Sequence, residues 1–295
     1  HSTSPTMPRF ALLLTTLIWG ATFPATKAAL DQIPPLSFLF LRFLLGAVLV
    51  GLCLVLLARP VSTDRAVLRA SAIATGWLFL GYVLQTVGLG YTTASNSAFI
   101  TTLYVVFVPL ILRRFGPRSW VAAGIATVGL WCLVKPTTSV NLGDLLTLGC
   151  ALAFAAHMAC LERYTRELDA TSLFVWQLVS MSGLMLVAMV WEHPTLSAFE
   201  PTTVLLIGLA VTGVLATLAF AVQMWAQQLL PAQQVALIFS LEPAYAAWLA
   251  WYFLGESLDW LGWIGSGLIL IAVIIGSLGA SVAEADRPLQ ISPVA

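Results

Sequence analysis

The chain has 295 residues, 60% of them hydrophobic and only 9% charged. A soluble domain carries about 25% charged residues, so this chain cannot cover its own surface with polar groups, and a soluble globular fold is excluded. Its formal net charge is zero, which gives no electrostatic footprint for nucleic acid.

Apolar runs of about 20 residues are the length of a bilayer-crossing helix, whereas barrel strands are shorter and alternate. Ten such runs can be drawn: 10–29, 35–57, 67–89, 95–113, 119–136, 143–163, 171–191, 202–225, 232–253 and 259–280. The first continues to full spanning length, so it reads as a span and not as a cleavable signal. The connections are short and hold helix breakers: Ile33-Pro34-Pro35, Arg59-Pro60, Gly116-Pro117, Lys135-Pro136 and His193-Pro194. Residues 282–295 read as a disordered tail. Cys53, Cys132, Cys150 and Cys160 all fall within apolar runs and lack the spacing of a metal site, so they read as small hydrophobes. Neither a metal nor a cofactor is expected.

With ten spans the termini share a side. That side collects ten cations: Arg9, Arg59, Arg65, Arg69, Arg113, Arg114, Arg118, Arg163, Arg166 and Arg287. The other side has Lys27 and Lys135, and Arg42 lies within a span. The positive-inside rule then predicts that both termini are cytoplasmic.

The chain also repeats itself. An offset of 138 aligns Ala98–Leu103 (AFITTL) with Ala236–Leu241 (ALIFSL). Without a gap it also pairs Gln85 with Gln223, Phe115 with Phe253, Gly124 with Gly262 and Gly129 with Gly267. The expected units are 9–137 and 143–281, five spans each. Because five is odd, the two copies enter the membrane from opposite sides. Such inverted repeats commonly serve alternating access around a site between the halves.

The residues LIWGATFPATK (17–27), FLRFLLGA (40–47), LEPAYAAWLAWYFLGE (241–256) and GWIGSGLILIAVI (262–274) resemble the EamA-type, ten-helix members of the drug/metabolite transporter superfamily. Within it the chain looks most like bacterial aromatic amino-acid exporters. The resemblance covers roughly residues 9–281. It implies an all-α integral membrane protein, two inverted five-helix repeats around a central cavity, a monomer in a bacterial inner membrane, and export of a small molecule. No GxxxxGK[ST] phosphate-binding loop is present.

The stretch Gln233–Leu254 carries Glu242-Pro243 at its middle. Proline there removes a helix hydrogen bond and kinks the backbone. A carboxylate at that depth is costly unless paired or facing a cavity. Helical rise puts Arg42 and Glu242 at similar depth, roughly 10–16 Å from the outer surface. They could pair, as a structural ion pair or as a substrate or proton site. His157 could relay a proton or simply bond a backbone carbonyl. Gln85 and Gln223 could hold a zwitterion or join helices. Thr101, Thr102 and Ser240 could form polar cavity walls or bond their own backbone. Among the many aromatics, Trp19, Trp77, Trp176, Tyr82 and Tyr104 lie away from the interfaces, where they either line a cavity or pack.

The expected cavity is lined by spans 1, 3, 4, 6, 8 and 9. Spans 4 and 9 would be gates, with weak points at Pro109 and Pro243. The scarcity of intramembrane cations argues against phosphorylated substrates. An intramembrane enzyme is disfavoured by the lack of HExxH or paired aspartates. The expectation is a transporter of small neutral or zwitterionic metabolites, amino acids foremost and aromatic ones favoured. Other metabolites or hydrophobic drugs, and a channel, are the alternatives.

Overall fold

The computed structural model describes residues 6–114, 116–134, 141–257 and 259–285, and among them no strand occurs. Thirteen α-helices follow in order: α1 (Thr6–Ala29), α2 (Pro35–Leu56), α3 (Arg65–Leu89), α4 (Ala94–Thr101), α5 (Tyr104–Ile111), α6 (Pro117–Val134), α7 (Leu142–Glu167), α8 (Ala170–Met189), α9 (Thr203–Leu209), α10 (Ala216–Leu229), α11 (Ala232–Phe239), α12 (Glu242–Leu254) and α13 (Trp260–Ala285). Seven described segments have the length and hydropathy of a membrane span: Pro35–Leu56, Arg65–Leu89, Ala94–Ile111, Leu142–Glu167, Ala170–Glu192, Thr203–Leu229 and Ala232–Leu254. With α1, α6 and α13 they make ten crossings of a multi-pass membrane protein.

Three differences from the sequence reading are local. Helix α13 continues to Ala285, so residues 282–285 are helical; 286–295 lie outside the described residues, as do Phe115, Lys135 and Pro136. The eighth span is not one regular helix, because a π-helical segment, Ala210–Leu215, separates α9 from α10. Trp77 is 39% exposed on the outer surface of the bundle, so it faces lipid and not the interior.

Side-chain caps start five helices among the described residues, α13 by Asp259, whose Oδ1 accepts from the Gly262 N–H at 3.0 Å. Thr93, Asn141, Asp169 and Thr202 accept from the backbone N–H groups of Asn96, Gly143, Ser172 and Leu205, satisfying donors that a helix start leaves open. Close packing is secured by small residues. A Cβ on Gly88 would meet the Gly143 carbonyl oxygen at 2.9 Å, so α3 and α7 touch backbone to backbone.

Helix pairings follow a two-fold relation. If α1 corresponds to α7, α2 to α8, α3 to α9–α10, α4–α5 to α11–α12 and α6 to α13, most contacts have a twin, the packing of α7 on α10 being an exception. Helix α6 packs on α13 and α2 on α8. Helix α3 packs on α7 as α10 does on α1, α1 packs on α12 as α7 does on α5, and α4 meets α12 as α11 meets α5. Burial differs among the spans: 61% of the Ala94–Ile111 window is buried, 50% of Leu142–Glu167 and 44% of Ala232–Leu254, against 22% for Pro35–Leu56.

The two breaks are themselves twins. Span 4 breaks at Thr102–Leu103 and span 9 at Ser240–Leu241, 138 residues apart. At each, a hydroxyl turns back on its own helix: Thr102 onto the Ala98 carbonyl at 2.9 Å and Ser240 onto the Leu237 carbonyl at 2.6 Å. Such back-bonding bends helices. In span 9 Pro243 follows the break in the first turn of α12, where its missing N–H costs nothing. In span 4 Pro109 lies inside α5, well beyond the break.

Candidate functional site

A cavity at the bilayer midplane is enclosed by α1, α3, α4, α5, α7, α10, α11 and α12. Its walls are Trp19, Thr22, Phe23, Leu78, Tyr82, Gln85, Thr101, Tyr104, Phe154, His157, Met158, Phe220, Gln223, Phe239 and Glu242, and its free volume is about 60 Å³. That space holds a few waters.

The walls come in pairs. The offset of 138 relates Tyr82 to Phe220, Gln85 to Gln223, Thr101 to Phe239 and Tyr104 to Glu242. An offset of 135, shorter by three residues, relates Trp19, Thr22 and Phe23 of α1 to Phe154, His157 and Met158 of α7. Every wall residue except Leu78 therefore has its counterpart in the wall. Tyr104 and Glu242 open the second halves of the two broken spans. The Tyr104 hydroxyl donates to Glu242 Oε2 at 3.4 Å, so the local two-fold axis runs between them.

The pairs match in position but not in chemistry. Ionisable His157 and Glu242 of the second repeat stand opposite Thr22 and Tyr104 of the first. Most cavity nitrogens are committed to protein acceptors. His157 Nε2 donates to Gln177 Oε1 at 2.8 Å, Gln85 Nε2 to the Thr101 hydroxyl at 3.2 Å, and Gln223 Nε2 to Gln227 Oε1 at 3.1 Å. Trp19 Nε1 is buried without a partner among the described residues.

Of the residues singled out in the sequence, Trp19, Tyr82, Gln85, Thr101, Tyr104, His157, Gln223 and Glu242 meet in this cavity. Trp176 does not: its indole N–H donates to the Ser62 carbonyl at 2.9 Å, near the start of α3. Ser240 faces a separate small apolar hollow with Phe99, Thr102 and Ile269. Arg42 does not pair with Glu242. It lies behind the wall, donating to the Tyr82 hydroxyl at 2.8 Å, with its guanidinium 4.4 Å from the Tyr82 ring centre. Thr22, Phe23, Leu78, Phe154, Met158, Phe220 and Phe239 were missed; the offset of 138 applied to Tyr82 and Thr101 would have found Phe220 and Phe239.

Both ends of the cavity are closed by carboxylates on helix starts. At the end away from Arg114, Glu256 accepts from the Ala94 and Ser95 N–H groups at 3.0 and 3.1 Å and from the Ser95 hydroxyl at 2.6 Å. Lys27 there donates to the Leu89 and Thr92 carbonyls. On the side of Arg114, Glu162 holds Arg114 at 2.7 Å and accepts from the Ala232 N–H at 3.0 Å. Ala94 and Ala232 are again 138 residues apart, each beginning a broken span.

The model of the EamA-like transporter family matches the chain twice, over residues 7–135 and 141–278. An uncharacterized transporter of Archaeoglobus fulgidus is 37% identical over 273 residues, spanning 90% of this chain and 84% of the relative. The uncharacterized inner membrane transporter YedA of Escherichia coli strain K12 is 26% identical over 291 residues, 92% of each chain. The uncharacterized transporter YoaV of Bacillus subtilis is 24% identical over 281 residues, 90% of this chain and 91% of the relative. One crystal structure superposes with a TM-score of 0.73 over 94% of this chain and 99% of its own, at 15% identity, a likeness of fold alone. None of the three named relatives is described by a substrate.

Proposed function

Because the chain belongs to the EamA-like transporter family, we propose that it moves small zwitterionic metabolites, aromatic amino acids foremost, outward across a bacterial inner membrane by alternating access. The observation that carries this reading is the paired wall of the midplane cavity. A site on the axis relating two inverted halves is equally reachable from either side when one half rocks against the other. Its aromatic walls suit a ring-bearing side chain, and its few polar groups suit a small polar head. The cation excess on one side favours cytoplasmic termini. The protein works as a monomer, since each chain carries both halves.

The test is counterflow in proteoliposomes loaded with unlabelled phenylalanine, tryptophan, threonine or buffer. Saturable uptake of labelled aromatic amino acid, accelerated by internal aromatic and little by threonine, is expected. No exchange by folded protein for any amino acid discards this substrate class. It would then favour other metabolites or hydrophobic drugs, for which the same apolar walls would serve.

A further inference from the structure

We propose that the obligatory recognition element of the substrate is a protonated amine, so that arylalkyl amines are accepted as well as amino acids, while the carboxylate is dispensable. This deepens the reading above and rests on it.

The inference comes from counting donors and acceptors at the wall. Glu242 is 8% exposed, and among the described residues it receives one hydrogen bond, the 3.4 Å contact from Tyr104. An ionised carboxylate can accept about four. A carboxylate left so poorly satisfied at the bilayer centre is costly, and a cation or a proton relieves it. Among the described residues nothing supplies the cation. Arg42 is turned to Tyr82, Lys27 to backbone carbonyls at the Glu256 end, and Arg114 to Glu162. Of the other titratable groups facing this region, Tyr82, Tyr104 and Cys150 are neutral donors at physiological pH, and His157 is held by Gln177.

The twin glutamines add two further acceptors. Each spends one of its two amide N–H groups, on Thr101 or on Gln227, and Gln85 and Gln223 each keep an Oε1 that accepts nothing from the described residues. An ammonium group has three N–H donors and no acceptor. Glu242 with the two repeat-related carbonyl oxygens supplies three acceptors, and the aromatic walls add their ring faces to the attraction. For a carboxylate the wall offers neutral donors, namely the unpartnered Trp19 N–H, the second amide N–H of each glutamine and the Tyr82 hydroxyl, but no cation. A substrate carboxylate is therefore tolerated at Trp19 but not required, and an acid without an amine meets Glu242 as a like charge.

The test is ligand-induced stabilisation of the purified, full-length wild-type protein by four separate compounds. These are L-phenylalanine, phenethylamine, 3-phenyllactate and N-acetyl-L-phenylalanine. The expected result is that the two amines bind and the two amine-free analogues bind at least tenfold more weakly. Glu242→Gln should abolish the response to the amines. Binding of phenyllactate as tight as that of phenylalanine would overturn the proposal and leave the amino-acid reading standing. So would failure of phenethylamine where phenylalanine binds. If none of the four binds the folded protein, the amino-acid reading itself falls. The ligand series uses the wild-type chain, so the result stands even if Glu242→Gln does not fold.

Discussion

At the scale of single residues, Tyr82 has two duties. Its ring is part of the cavity wall, and its hydroxyl is the acceptor for a guanidinium that is 5% exposed. Removing that hydroxyl leaves a buried charge short of a partner, at a cost of about 1.5–3 kcal/mol. Tyr82→Phe should therefore lower the melting temperature in detergent by several degrees. Adding Arg42→Met should restore most of the loss, since apolar replacement of a buried charge is often neutral; thermal unfolding of the two variants checks the cycle. Trp19→Phe keeps a ring and deletes only the unpartnered N–H. We expect a several-fold higher apparent Michaelis constant for phenylalanine and none of that change for phenethylamine. Arg42 was visible in the sequence as an intramembrane charge, but its partner was not. Helical rise gives depth and says nothing of the angle around the axis, so Arg42 and Glu242, at equal depth, looked like a pair.

At the scale of elements, motion is concentrated at the two breaks. Pro243→Ala restores a donor at the start of α12 and favours a continuous ninth span. Transport should slow while the protein remains extractable and folded; wild-type flux at normal expression would sink this hinge. Pro109→Ala should matter less, because the break in span 4 lies at Thr102–Leu103. The carboxylate bridges at the two ends make a separate prediction. Glu162→Gln removes the charge that holds Arg114 beside the start of α11. A Met158→Cys reporter in a cysteine-free background should then be labelled faster by a polar thiol reagent added from the side of Arg114. An unchanged labelling rate would mean that the bridge does not restrain that end. Proline was readable as a breaker, but the break in span 4 has no proline beside it and coincides with a hydroxyl turned back on its own helix, a motif that threonine's presence alone does not announce. The π-helical segment in span 8 left no trace in an apolar run that reads as regular helix.

For the whole molecule, the composition fixed the membrane class, and the spacing of apolar runs fixed the number of crossings. The repeat was legible where the offset holds without a gap, and that stretch already contained Tyr104, Glu242 and both glutamines of the wall. It was not legible across α1 and α7, where the register differs by three residues and Trp19 faces a phenylalanine in its counterpart. The predicted orientation is open to direct measurement. Tags on both termini should be cleaved by added protease in inside-out vesicles and protected in right-side-out ones.

The two-fold relation among the walls has an energetic corollary. A protein made of two identical inverted halves would look the same after exchanging its inward-facing and outward-facing forms, so the two would be equally populated. Any preference for one resting form must come from places where the halves differ. Six of the seven wall pairs do: Trp19 against Phe154, Thr22 against His157, Phe23 against Met158, Tyr82 against Phe220, Thr101 against Phe239 and Tyr104 against Glu242, and the π-helical turn of span 8 stands against the unbroken helix α3. A bias of a few kcal/mol is enough to leave one form a minor species. Evolution could therefore have tuned which way this carrier waits by changing one member of a pair and leaving its twin alone.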